Sequence, residues 1–398
     1  MRKSILHISC LLAALASSGT HASIGASVVQ ERAYEDPLIQ ALQAIDEYRT
    51  DDALSHLEKL LKETPDFTLA QLVYADMLAA RTGAVTQLAS SEQHDELLAD
   101  LRNEARARLN FHLNQNHQQQ LPKSLLRLAP RYKHVILVDA KQSRLFLYEN
   151  TEQGLQLRYN TYATIGKNGA NKWREGDKRT PIGVYFVTDF LPPSSLSDFY
   201  GAGAFPINYP NAWDRRLGRT GYGIWLHGNP IDSFSRAPQA SDGCVTINND
   251  DLEYLKQYID TSNTPVIISN GVEWSDAAAL SSASAELEQQ LIDWQNNWQS
   301  MNDSAFLQHY SKNFVSSTNQ NLATWKRNKS WSNQQKNFIE IKVDEVSMFL
   351  YPGEKDMALV DFKQHYRSDS YQDVSIKRQY WKREKDGRWR IIYEGPAS

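Results

Sequence analysis

The residues best suited to covalent chemistry are a histidine and a cysteine separated by a short spacer. His227 and Cys244 flank residues 228–243, a segment that begins with a glycine and ends in Ser241-Asp242-Gly243. A thiol becomes a strong nucleophile when a neighbouring base takes its proton, so the pair predicts a cysteine nucleophile activated by a histidine base. We therefore expect His227 to bring the pKa of the Cys244 thiol below the free-thiol value of roughly 8.5. The alternative interpretation is a structural cysteine, because unpaired cysteines are often buried.

Two short apolar strands are expected to position this pair. Residues 224–226 directly precede His227, and residues 245–247 directly follow Cys244. If the two strands are neighbours, both side chains meet at one end of a sheet. Gly243 lets the backbone approach closely, and we expect the amides of Gly243 and Cys244 to point at a developing oxyanion.

Three further residues are predicted to contact the substrate: Trp225, Gly228 and Arg179. Trp225 alternates with His227 along a strand and should share its face. Arg179 ends a basic loop, residues 167–179, which would suit substrate carboxylates, although a solvated loop is the alternative. No metal or other cofactor is expected, because the ten histidines are scattered and no His-Glu-x-x-His sequence occurs.

The segment resembles the L,D-transpeptidase family, whose YkuD-type catalytic domain acts on the bacterial cell wall. The family pattern is His-Gly, a spacer, then Ser-His-Gly-Cys with an arginine two residues after the cysteine; this chain supplies His227-Gly228, Ser241 and Gly243-Cys244. Thr180-Pro181-Ile182-Gly183 and the hairpin strand 144–148 are similar to further family features. The resemblance implies a cysteine acyl-enzyme on peptidoglycan stem peptides, with Cys244 as nucleophile, His227 as base, and Ser241, Asp242 and Gly243 supporting the oxyanion site.

Two positions depart from the family pattern. Asp242 replaces the second histidine, and Thr246 replaces the arginine. An acid beside the nucleophile raises the thiol pKa by like-charge repulsion, so Asp242 should either point away or pair with a substrate amine or a nearby arginine. Transfer of the acyl group to an amine and hydrolysis by water both stay open.

The order of the predicted domains resembles a subset of that family. In this subset a helical N-terminal region precedes the catalytic domain, and a nuclear-transport-factor-like domain follows it. The subset includes L,D-carboxypeptidases that trim tetrapeptide stems and help to set cell shape, which makes trimming a rival to cross-linking. A non-catalytic wall-binding module is the alternative from a different class.

The elements before the catalytic segment are predicted to be helical over residues 30–120. The helix pair within residues 34–83 resembles a tetratricopeptide repeat with too few units for a solenoid, so we expect a small helical cap or a homodimerisation unit. A further helix is predicted over residues 94–115, followed by a polar linker over 114–122. Short buried strands then predict a mostly-β catalytic domain over 131–272.

The C-terminal part, residues 284–398, resembles the nuclear-transport-factor-like family. A polar linker is expected over residues 275–285, and a helix from Glu286 carries apolar residues on one face. Four long alternating strands begin at Phe338, which predicts a cone-shaped α+β domain. The chain is therefore expected to be multidomain.

The first 22 residues have the order of a secretory signal. Arg2 and Lys3 precede an apolar run over residues 5–16, and small residues lead to Ala22. Cleavage there would leave Cys244 as the sole thiol of a periplasmic protein without a stable membrane span; a retained anchor is the alternative. The 398 residues carry a net charge of −4 and no basic block, which argues against a nucleic-acid partner.

Overall fold

The computed structural model describes residues 34–82, 92–114, 120–261 and 263–397. It shows the predicted multidomain architecture: a helical N-terminal region, a β-rich middle domain and an α+β C-terminal domain. The predicted signal segment, residues 1–22, lies outside the described residues. Within the four described ranges, no helix is both long enough and apolar enough to cross a bilayer.

In its described residues, the N-terminal region has four helices: α1 (Glu35–Asp46), α2 (Thr50–Glu63), α3 (Thr68–Thr82) and α4 (Glu92–Leu113). Apolar side chains at helical spacing form its core, which includes Leu38, Leu57, Leu60, Phe67 and Leu101. Phe234, from the spacer between the candidate catalytic residues, also belongs to this core.

The segment after α4 pairs with two later parts of the chain. Strand β1 (Leu121–Pro122) pairs with a short strand at residues 274–275, and β2 (Leu125–Arg127) joins the sheet of the C-terminal domain. The end of the linker predicted over 114–122 is thus a two-residue strand, because the backbone of Leu121–Pro122 lies close enough to residues 274–275 to pair with it.

The middle domain is built mainly from short strands. Its elements are β3 (His134–Asp139), β4 (Arg144–Thr151), β5 (Gly154–Tyr162), β6 (Ile165–Gly166), β7 (Gly183–Phe186), β8 (Ala204–Pro206), α5 (Ala212–Arg216), β9 (Trp225–Gly228), β10 (Gln239–Ser241), β11 (Val245–Ile247), α6 (Asn249–Lys256), β12 (Pro265–Ser269) and β13 (Trp274–Ser275). A five-stranded sheet has the order β5-β4-β3-β12-β7, and a three-stranded sheet in the order β8-β9-β11 packs beside it. Strands β6 and β10 form a separate pair.

The C-terminal domain packs helices against a curved sheet. Its elements are α7 (Ala277–Gln299), α8 (Asp303–Leu307), β14 (Tyr310–Ser316), α9 (Leu322–Gln334), β15 (Ile339–Leu350), β16 (Met357–Ser368), β17 (Gln372–Arg383) and β18 (Trp389–Pro396). The sheet has six strands in the order β14-β18-β17-β16-β15-β2. The linker predicted over 275–285 is mostly the first part of α7. Alanine is a strong helix former, and the Asp276 side chain accepts a hydrogen bond of 2.8 Å from the Ala279 N–H, which caps the helix.

The middle and C-terminal domains share one hydrophobic core. The rings of Trp213 and Tyr380 stack with their centroids 6.0 Å apart across the boundary. The buried Asp361 carboxylate on β16 forms an ion pair with Arg131, which lies just before β3 of the middle domain. It forms a second ion pair, at 2.9 Å, with Arg378 on β17. The two domains are therefore held as one body by apolar contacts and by a buried charge network.

Candidate functional site

His227 lies on β9, and Cys244 directly precedes the neighbouring strand β11. Strands β9 and β11 are parallel neighbours, with Val245 opposite Leu226 and Thr246 opposite His227. Residues in register on parallel strands share a face, so His227 and Thr246 lie side by side and Cys244 sits at the start of the same face. The two strands are thus neighbours, which is the condition under which both side chains can meet.

His227 is held as a neutral imidazole. Its side chain is buried, and the ring Nδ1 lies 2.6 Å from the carbonyl oxygen of Gly228. A carbonyl only accepts, so Nδ1 carries the hydrogen and Nε2 is left with a free lone pair. Burial lowers the pKa of His227 to about 4; the Gly228 carbonyl opposes this shift, and the Arg236 charge adds to it.

Cys244 rests as a protonated thiol. The half-buried sulfur lies 3.4 Å from the carbonyl oxygen of Gly223, to which the thiol donates. Burial raises the pKa of Cys244 to about 11, against the effect of the Trp225 N–H, which stabilises the thiolate. The Asp242 charge raises this pKa further, while the charges of Lys172 and Arg236 lower it. The expectation of a thiol pKa below roughly 8.5 is therefore wrong for the resting site.

The turn before Cys244 is locked by hydroxyl groups. Ser241 Oγ donates to the Cys244 carbonyl at 2.6 Å and accepts from the Gly243 N–H at 3.1 Å. Thr180 Oγ1 donates to the Gly243 carbonyl at 2.9 Å. Gly243 has φ +127°, and a Cβ there would lie 2.9 Å from the Arg179 carbonyl oxygen, so a side chain would be strained.

This locking changes the predicted oxyanion site. The Gly243 N–H is engaged by Ser241, so in this state it does not face an incoming carbonyl as expected. The Cys244 N–H has no acceptor among the described residues. Ser241 fixes the turn, and of the two amides expected to face an oxyanion only that of Cys244 is left without an acceptor among the described residues.

The two departures from the family pattern have different surroundings. The Asp242 side chain is 72% exposed and lies 3.8 Å from Lys167 Nζ and 3.7 Å from Lys178 Nζ. Its neighbours are thus two lysines, and its charge still acts on the Cys244 thiol. Thr246 is buried beside His227, and its Oγ1 has no hydrogen-bond partner among the described residues.

The predicted substrate-contacting residues are placed as follows. Trp225 is half-buried, with its ring 4.9 Å from that of Tyr200. Gly228 is tightly packed, because a Cβ there would overlap Asn249 Oδ1. Arg179 is exposed, and its Nη1 donates to the Ala170 carbonyl at 3.1 Å. Their contact with substrate stays a prediction.

Two aromatic residues of the site escaped the sequence analysis. A short 3₁₀ turn, Asp198–Tyr200, carries Phe199 and Tyr200 to His227, with ring centroids 6.0 and 5.0 Å from the imidazole. They cover the base and keep water from it, which contributes to its burial. Nothing in the spacing of this segment signalled the contact.

Comparison with known proteins now separates the chain into two recognised parts. The model of the L,D-transpeptidase catalytic domain, YkuD, matches residues 133–268. The model of the Cds6 C-terminal NTF2-like domain matches residues 286–395. The chain carries a YkuD catalytic domain followed by an NTF2-like domain. This confirms both resemblances that were inferred from the sequence.

Solved structures resemble this chain over more than two thirds of its length. Bd1075 of Bdellovibrio bacteriovorus is 29% identical over 70% of this chain and 98% of its own, with a TM-score of 0.62. The helical cell shape determining protein Pgp2 of Campylobacter jejuni is 23% identical over 69% of this chain and 95% of its own, with a TM-score of 0.59, and supports the fold. No curated protein matches the chain.

Proposed function

We propose that the YkuD domain is a cysteine acyltransferase that acts on tetrapeptide stems of peptidoglycan. The observation that carries the proposal is that β9 and β11 are parallel neighbours, with a neutral, buried His227 on β9 and Cys244 directly before β11. The match of residues 133–268 to the L,D-transpeptidase catalytic domain supports action on peptidoglycan. A non-catalytic wall-binding module would have no need for the fixed tautomer of His227.

The first half of the reaction forms an acyl-enzyme. His227 Nε2 takes the Cys244 proton as Sγ attacks the carbonyl that precedes the terminal D-residue. The Cys244 N–H donates to the oxyanion. The C–N bond then breaks, and the imidazolium gives its proton to the departing amine. Because both resting groups are uncharged, the proton moves only when substrate is present.

The second half decides between trimming and cross-linking. Water would hydrolyse the thioester and release a tripeptide, whereas an amine of another stem would give a cross-link. We propose trimming as the main reaction, as in the L,D-carboxypeptidases that the domain order resembles. The name of the Campylobacter relative, a helical cell shape determining protein, supports a role in cell shape.

We further propose a periplasmic location for the protein. A peptidoglycan enzyme works in the periplasm, which agrees with the proposed signal segment before Ala22. Action without a cofactor and formation of a homodimer stay predictions.

A covalent probe tests the nucleophile. A carbapenem should add one adduct, on Cys244, and Cys244→Ala should abolish both the adduct and turnover of a disaccharide tetrapeptide. Arg158→Gln, which removes a cation paired with Glu149 elsewhere in the catalytic domain, is the control and should change neither. Residual turnover of Cys244→Ala above about a thousandth of the wild type would contradict the proposal, because loss of a nucleophile typically costs far more. Release of tripeptide, measured by mass spectrometry, would support trimming, and cross-linked dimer alone would exclude it.

A further inference from the structure

The spacer between His227 and Cys244 is a fixed part of the structure. Its Phe234 ring lies 4.3 Å from the Phe67 ring of the helical region. The Phe234 carbonyl accepts hydrogen bonds of 3.0 Å from Asn229 Nδ2 and 2.9 Å from Asn248 Nδ2. The helical region therefore anchors the loop that leads into the active site.

Two residues farther along, the same loop carries Arg236 to the catalytic pair. Its Nη2 donates to the Ala240 carbonyl at 2.6 Å, immediately before the turn that holds Cys244. Its Cζ lies 5.4 Å from the centroid of the Phe199 ring, and that ring is 6.0 Å from the His227 ring. The Arg236 guanidinium therefore lies against the Phe199 ring, which in turn lies against the His227 ring.

The guanidinium is not fully satisfied by the protein. Arg236 Nη1 is shielded from solvent and has no hydrogen-bond partner among the described residues, and none of their carboxylates forms an ion pair with this side chain. Thr246, which lies opposite His227 on β11, also has a buried hydroxyl oxygen without a hydrogen-bond partner among the described residues. Buried polar groups are nearly always paired, so two unpaired donors around one site indicate a place for an acceptor group of a ligand.

We infer that Arg236 binds the free C-terminal carboxylate of the donor stem, an inference that rests on the function proposed above. Arginine matches a carboxylate with two parallel N–H donors, which gives strength and orientation. In a donor cut before its last residue, this carboxylate lies only one residue beyond the attacked carbonyl. Arg236 therefore supplies, from the spacer, the cation that position 246 lacks in this chain.

The test compares two donors on the full chain. One is a disaccharide tetrapeptide with a free terminal carboxylate, and the other is its C-terminal carboxamide. The wild type should prefer the acid in kcat/KM by about ten- to a hundredfold, the range of one charge-assisted pair at 1.4 kcal/mol per factor of ten. Arg236→Gln should lose most of this preference through a higher KM, and Arg236→Lys should keep part of it. Arg158→Gln, which removes a cation elsewhere in the catalytic domain, is the matched control and should behave as the wild type.

The outcomes separate this inference from the proposed function. A donor amidated at an internal carboxylate should still have a higher kcat/KM than the terminal carboxamide. If both amidated donors lose kcat/KM equally, the terminal carboxylate is not the group that Arg236 binds, and the inference is overturned. Equal cleavage of acid and carboxamide by the wild type would also overturn it. If Arg236→Gln lowers kcat on both donors and leaves their ratio unchanged, Arg236 acts on the thiol or on folding instead. If the wild type cleaves neither donor and Cys244 takes no carbapenem, the proposed function fails and the anchor fails with it.

Discussion

Alkylation of Cys244 should show that the catalytic pair rests without charge. Burial raises the pKa of the Cys244 thiol to about 11 and lowers the pKa of His227 to about 4. Both groups are neutral between these values, and at pH 7 only about one thiol in ten thousand is ionised. A thiolate–imidazolium pair would instead hold the thiol ionised near neutral pH.

The assay is the rate of reaction with iodoacetamide, followed by the mass of the peptide that contains Cys244. Because only the thiolate reacts, the rate should rise about tenfold per pH unit from pH 7 to pH 10 without a plateau. His227→Asn should leave this profile unchanged, since a neutral imidazole does not stabilise the thiolate. The same variant should lose about 10²- to 10⁴-fold in turnover, the usual contribution of a general base.

A plateau near pH 7–8 that moves upward in His227→Asn would refute this reasoning. It would show that His227 is protonated in the resting enzyme and that the two groups form an ion pair. Arg158→Gln again serves as the control, because Arg158 on β5 forms an ion pair with Glu149 on β4 and not with a residue of the site.

Three further substitutions test the structure around the site. Phe234→Ala should lower the free energy of unfolding in urea by about 3–5 kcal/mol, because a buried ring is removed from the helical core; unchanged stability would mean that the spacer is not anchored there. Asp361→Ala should destabilise by about 3–5 kcal/mol in thermal unfolding, because two arginines lose their buried partner, and a small effect would show that this network does not join the domains. Asp242→Asn should change stability by less than about 0.5 kcal/mol, since its lysine contacts are exposed. It should also speed alkylation of Cys244 at pH 9, because one charge that opposes the thiolate is gone; a slower reaction would contradict this.

Most of the elements could be predicted from periodicity. The strands His134–Asp139 and Arg144–Thr151 and the four long C-terminal strands appear where apolar residues alternate or run together. These segments are decided locally, because one face of each must be buried whatever its neighbours are. Helix α4 and the helices before it follow from apolar residues at intervals of three and four.

The boundaries between domains could not be predicted in the same way. Residues 275–285 contain many small polar residues and so resemble a linker, yet most of them belong to α7. Leu125–Arg127 lies before the catalytic domain but adds an edge strand to the C-terminal sheet. Such pairings depend on which distant backbone is close enough to accept hydrogen bonds, and this information is not local.

The sequence by itself determined the chemical groups of the site and their order. Cys244, His227 and the turn Ser241-Asp242-Gly243 are defined by residue type and spacing, because a nucleophile, a base and a tight turn require particular side chains. The tertiary structure decided their state. Burial sets the protonation of the pair, Ser241 engages the Gly243 amide, and the helical region anchors the loop that brings Arg236 to the site. Desolvation and hydrogen-bond competition depend on every group that packs around an atom, so they arise only when distant segments of the chain come together.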